Sequence, residues 1–196
     1  VFVTGGVGPG VTSSLFQTVY DQAFTLQTAN PVFDLTVGLW YSGSTVQDTK
    51  TGDDSAGKML FPSSSMMMRE KANIYRQFSQ QLLGNAESPF YVPFGSTSSA
   101  DRVDEAMFVG FKRLFHRDAI KRETFAMKFY TSASDSLAST APNLNHTSQS
   151  GSTIFTDIGA ASNQLVSFGG DVGNVVNSSK TSEYAGVLFY DQGIAV

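Results

Sequence analysis

The chain has 196 residues, enough for one good core, with a formal net charge of −4 and no cysteine. Hydrophobic residues make up 41% and charged residues only 15%, against about a quarter in an average domain. These values exclude a disulfide framework or a thiolate metal site. They argue against direct nucleic-acid binding, because the basic residues cluster only as the pairs Lys112-Arg113 and Lys121-Arg122, and no apolar run is long enough to span a bilayer.

Val1–Thr4 has the character of a strand, and a glycine-rich turn follows at Gly5–Gly10. Thr12 or Ser13 then offers a cap for a helix running to about Thr28, with Leu15, Val19 and Leu26 along one stripe. Asn30-Pro31 stops it. Phe33, Leu35, Val37, Leu39 and Tyr41 alternate with Asp34, Thr36 and Gly38, the pattern of a half-buried strand.

A polar excursion from Ser42 to Lys58 precedes the clearest helix, about Met66 to Leu83, which Gly84 should end. Met67, Ile74, Phe78 and Leu82 fall at helical spacing with Tyr75 alongside, while Arg69, Glu70, Lys71 and Arg76 are placed on the other face. A loop from Asn85 to Arg102 sets Pro89 and Pro93 among aromatics. Ala106–Phe115 and Thr124–Thr131 read as two strands joined through His116–Arg122, as a β-hairpin or by a short helical crossover, with the hairpin preferred.

Ser132–Ser152, rich in Ser, Thr, Ala and Asn, reads as a long surface loop or mobile segment. Short strands are expected at Thr153–Thr156 and Gln164–Phe168, with a turn at Gly169–Gly173. Tyr184–Tyr190 is apolar on both faces and so should be a central strand, turning through Asp191-Gln192-Gly193 into Ile194–Val196. No internal repeat and no signal peptide are visible. The first residue is Val1 rather than Met, which leaves open that these residues belong to a longer polypeptide.

Chemistry is sparse. Gly5-Gly6-Val7-Gly8-Pro9-Gly10-Val11-Thr12 has the spacing of a phosphate-binding loop, but Val11 stands where the lysine ammonium is required and Pro9 removes one N–H. His116 and His146 lack metal-ligand spacing. Asp48, Asp53 and Asp54 miss the calcium-loop pattern. No Gly-x-Ser-x-Gly elbow exists for a serine nucleophile. Asn145-His146-Thr147 and Asn177-Ser178-Ser179 are formal glycosylation sequons, without meaning for a protein made in a bacterium. No catalytic residue, cofactor or metal is therefore expected.

The remaining signal is low charge combined with 16 phenylalanines. Interfaces deplete charge at their centres and enrich aromatics and Met, so the surface suits a protein that hides part of itself in an assembly. Met66, Met68, Phe90, Tyr91 and Phe94 are the candidate interface residues, because each lies at a helix end or in a loop that a neighbour could reach. In a rival reading, Trp40, Tyr41, Tyr91 and Phe94 stack on sugars in a receptor- or carbohydrate-binding β module.

Four segments carry a resemblance. They are Ala29-Asn30-Pro31-Val32-Phe33-Asp34-Leu35-Thr36-Val37-Gly38, Ile74-Tyr75-Arg76-Gln77-Phe78 leading to Leu82-Leu83-Gly84, the Glu105–Phe129 stretch with Ile120-Lys121-Arg122-Glu123-Thr124-Phe125, and the ending Gly186-Val187-Leu188-Phe189-Tyr190-Asp191-Gln192-Gly193-Ile194-Ala195-Val196. In that order, over roughly two thirds of the chain, they resemble virion structural proteins of large contractile-tailed phages of marine cyanobacterial and T-even-like type. The resemblance implies a tail, baseplate or neck component without catalytic residues. Such a protein is assembled in the bacterial host cytoplasm into the virion, and its partners are other virion structural proteins and copies of itself.

The expectation is one α+β domain over 1–196: a mainly antiparallel sheet of Phe33–Tyr41, Ala106–Phe115, Thr124–Thr131 and Tyr184–Tyr190, long polar loops, and two principal helices near 13–28 and 66–83 packed on the sheet.

Overall fold

A strand with an apolar residue at every second position can bury one face only if another layer covers it. The computed structural model, which describes residues 15–22, 25–42, 45–46, 66–130 and 152–196, meets that demand with one long antiparallel sheet. The elements in chain order are β1 (Phe16–Tyr20), β2 (Pro31–Leu39), the small pair β3 (Tyr41–Ser42) and β4 (Thr45–Val46), and α1 (Met66–Leu83). They continue with β5 (Glu105–Phe111), the single turn α2 (Arg113–His116), β6 (Ala126–Tyr130), β7 (Ser152–Thr156) and β8 (Leu165–Ser167). The last three are β9 (Gly170–Asn177), β10 (Lys180–Phe189) and β11 (Ile194–Ala195). The sheet order is β1-β2-β5-β11-β10-β9-β7-β6, with β8 on the β7 side of β9.

The antiparallel sheet and the long helix at Met66–Leu83 agree with the sequence reading, but three expectations are corrected. The helix near 13–28 is replaced by a strand and a turn. Phe16–Val19 pair with Phe33–Thr36, and Asp21 and Asn30 close the hairpin through a backbone bond of 3.1 Å. The run Phe16-Gln17-Thr18-Val19-Tyr20 is aromatic and β-branched, and with β2 beside it the strand propensity outweighs the helical spacing of Leu15 and Val19. Among the described residues, one long helix therefore packs on the sheet, not two.

The expected hairpin between 106–115 and 124–131 is also absent. β5 pairs with β2 and β11, whereas β6 pairs with β7. Residues 112–125 instead cross the end of the sheet, and β11, β10, β9 and β7 fill the space between the two strands. Finally, the turn placed at 169–173 is confined to its first residues, and β9 begins at Gly170. Of the expected loop over 132–152, residues 132–151 lie outside the described residues and Ser152 begins β7; the glycine-rich segment 5–12 also lies outside them.

Strand alternation sorts the core into two halves. Ala106, Phe108, Val187, Phe189 and Val172 point to one face, where they meet Tyr75 and Leu82 of α1 together with Phe90 and Trp40. Val109, Leu188, Tyr190, Val175 and Ala195 point to the other. β10 thus contributes apolar side chains to both faces, as its sequence predicts for a central strand.

α1 buries Ala72, Tyr75, Ser79 and Leu82, spaced three or four apart, together with Lys71, four before Tyr75. Lys71, expected on the solvent face, falls inside this stripe and is 1% exposed, and desolvation pushes its ammonium pKa down. The helix backbone comes close to β2 because Gly38 has no side chain: a Cβ there would stand 2.9 Å from the Tyr75 Cα. Gly84, with φ +79°, ends the helix as expected. The Leu82 carbonyl accepts from the Gly169 N–H at 2.8 Å and the Ser167 hydroxyl at 2.7 Å, which ties α1 to the turn between β8 and β9.

Candidate functional site

Glu105, Met107 and Val109 alternate along β5 toward the face opposite α1, as Met127 and Phe129 do along β6. They line a cleft of about 290 Å³ that reaches across β11, β10, β9 and β7 and includes Phe155, Val175, Gly186 and Ala195. Its wall is almost wholly apolar. The two methionines give it adaptable contact surface, and among the described residues Glu105 is its one charged lining residue.

Residues 112–125 form a strap across the end of this face. Phe125 ends the strap and also lines the cleft, its ring 5.8 Å from that of Phe111. The strap is fastened by polar contacts. Asp157, 1% exposed, accepts hydrogen bonds from the backbone N–H of Glu123 at 2.7 Å, from that of Phe125 at 3.1 Å and from the Tyr190 hydroxyl at 2.9 Å. Burial, and after it this bond to Asp157, pushes the Tyr190 pKa above the usual tyrosine range, so the phenol stays protonated and donates.

Gly173 makes this arrangement possible, because a Cβ there would stand 2.2 Å from the Tyr190 hydroxyl oxygen. Arg122 lies over the Tyr190 ring at 5.0 Å, donates to the Ala160 carbonyl at 3.1 Å and pairs with Asp171 at 2.8 Å. The Glu123 carboxylate accepts from the Gly159 and Ala161 N–H groups. Each carboxylate in this cluster faces N–H, hydroxyl or guanidinium donors, and together these contacts hold the strap in place.

The sequence-derived interface residues do not gather into one patch. Phe90 turns inward and is 1% exposed: its ring meets Tyr75 at 5.4 Å and Phe108 at 5.6 Å, and its N–H donates to the Tyr75 hydroxyl at 2.8 Å. It is therefore a core residue and not a contact for a neighbour. Tyr91 is half-buried in a bridge to Arg102. Phe94 is half-buried against Phe189, with its N–H on the Asn174 side-chain oxygen at 2.7 Å. Met66 and Met68 sit in the first turn of α1, and their side chains lie outside the described residues.

Trp40, named for sugar stacking, is 7% exposed and packs on Tyr75 at 5.5 Å. The side chains of Tyr41 and His116 lie outside the described residues, as do His146, Asn145, Asp48, Asp53 and Asp54. Among the described residues, no three metal-ligating side chains come together and no helix is long and apolar enough to cross a membrane.

Large apolar side chains are exposed at several other places, among them Phe16 on β1 at 68% and Leu114 on α2 at 73%. Val166 and Phe168 are 72% and 75% exposed and form a pair, at positions two apart on and just after β8. Beyond β8 no further strand is added among the described residues. Their period-2 spacing in Leu165-Val166-Ser167-Phe168 was the available signal, but a three-residue strand does not announce which side faces water. The Asp157 catch gave no sequence signal at all, since its partners come from residues 123, 125 and 190.

Comparison with protein-family models, with characterised proteins and with solved structures finds no match to this chain.

Proposed function

We propose that this chain is a structural subunit of a large contractile-tailed phage, a tail or baseplate component that works by protein contacts and not by catalysis. Its partners in this reading are other virion proteins and further copies of itself, without direct contact to nucleic acid or membrane. Its destination is the virion, by way of assembly in the bacterial cytoplasm. A neck or capsid-associated position is the second placement.

The observation that carries the assembly reading is the pair Val166 and Phe168, apolar and about three-quarters exposed beside a sheet edge. Such an edge offers backbone groups and side chains together to an incoming strand. The low charge of the chain and the apolar cleft support the same reading. The phage assignment within it rests on the segment resemblance alone. The rival sugar-binding reading loses Trp40 to the core.

Mass spectrometry of purified virions tests the proposal. The protein should be present at a fixed ratio to the other structural subunits, and a cryo-EM map of the particle should place Val166 and Phe168 against a neighbour. Abundance in infected cells together with absence from virions would overturn it.

A further inference from the structure

A segment that crosses a sheet is kept in place by what it buries and by what fastens it, and the strap of residues 112–125 depends mainly on the second. Its side chains at Arg113, Leu114, Arg117, Asp118, Lys121 and Thr124 face solvent. Two of its residues hold backbone conformations that L side chains rarely adopt, Arg117 with φ +54° and Glu123 with φ +60°. Each such residue is strained and persists only where the surroundings over-determine it. At Glu123 the surroundings are Asp157, which takes the backbone N–H, and the Gly159 and Ala161 amides, which take the carboxylate.

We propose that the strap is a latch over the apolar cleft, with the Asp157 carboxylate as its catch, and that it opens as a local unit while the helix-covered half of the sheet stays folded. Opening frees Phe125, which the same carboxylate holds by its N–H and which forms part of the cleft wall. The cleft then widens toward the strap end and bares Phe111 and Met127. The use of that opened surface by a neighbouring subunit rests on the assembly reading above, but the opening itself is a property of the isolated chain and is measured there.

Native-state hydrogen exchange on the isolated wild-type chain tests it first. The Ile120, Glu123 and Phe125 amides should exchange at least tenfold faster than those of Val187 and Val196, which bond each other's carbonyls across the sheet, and with little dependence on denaturant. Equal rates with equal denaturant dependence overturn the latch.

The second test is Asp157→Asn, which removes the charge and leaves an amide unable to accept from all three donors. A lysine-specific protease should then cut after Lys121 at least tenfold faster than in wild type, while cutting after Lys71, buried in α1, stays slow. Parallel acceleration at both lysines, or none at Lys121, overturns the local opening. In Arg117→Gly the strain at φ +54° is relieved, so cutting after Lys121 should slow. Unchanged or faster cutting counts against a strained latch. None of these readouts involves a virion, so a failed latch leaves the assembly proposal standing, and the reverse also holds.

Discussion

The two faces of the sheet bury apolar surface by different means. Under α1, rings pack on rings: Phe78 stacks on Phe108 at 4.1 Å, while Tyr75 and Phe90 meet Phe108 edge-on at 5.9 and 5.6 Å. Few polar atoms are buried there: the Tyr75 hydroxyl accepts from the Phe90 N–H and donates to the Val103 carbonyl, each at 2.8 Å, while Trp40 Nε1 and Ser79 Oγ have no hydrogen-bond partner among the described residues. On the opposite face the buried residues are mostly smaller, and the phenylalanines at 33, 111, 125 and 155 are only partly covered. Fastening there falls to Asp157 and Arg122. The contrast teaches that a covered face draws its cohesion from area, which is shared across the domain, whereas a half-covered face depends on a few polar contacts that can be released one at a time.

The strongest way to break the comparison is to cut a ring out of the helix-covered face. Phe108→Ala should cost about 3–5 kcal/mol, the range for removing a fully buried phenylalanine. Urea unfolding should show a lower midpoint for the whole chain in one transition. If exchange at Val187 and Val196 stayed protected while only α1 melted, that face would not be the shared core described here.

The hydroxyls sharpen it. Tyr75→Phe leaves the Phe90 N–H and the Val103 carbonyl buried without their partner, a loss of about 1–3 kcal/mol. The loss should appear in global stability. Tyr190→Phe leaves Asp157 its two backbone donors, so it should instead speed exchange at Glu123 and Phe125 with a smaller change in the unfolding midpoint. Equal global losses with no change in strap exchange would erase the distinction between the faces.

Both phenols also set a pH limit. Burial, the largest cause in each case, raises both pKa values above the ordinary 10.0. The folded chain then holds protons that the unfolded chain has already released. The phenols' contribution to stability is fully present below about pH 10 and is lost as pH rises above it, by about 1.4 kcal/mol per pH unit for each tyrosine. Thermal melts between pH 9 and pH 11 should show this loss, and Tyr75→Phe should fall less steeply than wild type. An unchanged slope in that variant would show that Tyr75 ionises freely.

How much of this was legible depends on the range of the contacts. β2, α1 with its Gly84 end, and the central position of β10 follow from periodicity, which is a local property. β1 was not legible, because Phe16–Tyr20 satisfies both periods over so few residues and only its pairing with β2 chooses. The partnership of β5 with β11 was hidden for the same reason: Ile194 and Ala195 lie far along the chain from Gly110 and Val109. Of the candidate interface, Phe90 failed because a loop aromatic flanked by Pro89 and Tyr91 reads as reachable, yet its N–H is drawn onto the Tyr75 hydroxyl and its ring follows.

The smallest expected effect separates apolar residues that the fold uses from those it leaves outside. Val166 is 72% exposed, so its replacement by Ser removes little buried area from the folded chain. Surface changes of this kind stay within about 0.5 kcal/mol, and Val166→Ser should leave the unfolding midpoint and the strap exchange rates as they are. Its effect should appear only where a neighbour covers β8. In virions assembled with the variant, the ratio of this protein to the other structural subunits should fall, and Val166→Glu, which adds a charge that must be desolvated on contact, should lower it further. A normal ratio for both variants would place the contact surface away from β8 and leave the apolar cleft as the better candidate. A lowered midpoint for Val166→Ser would instead mean that the side chain is covered within the chain itself and that the exposed pair has no separate role.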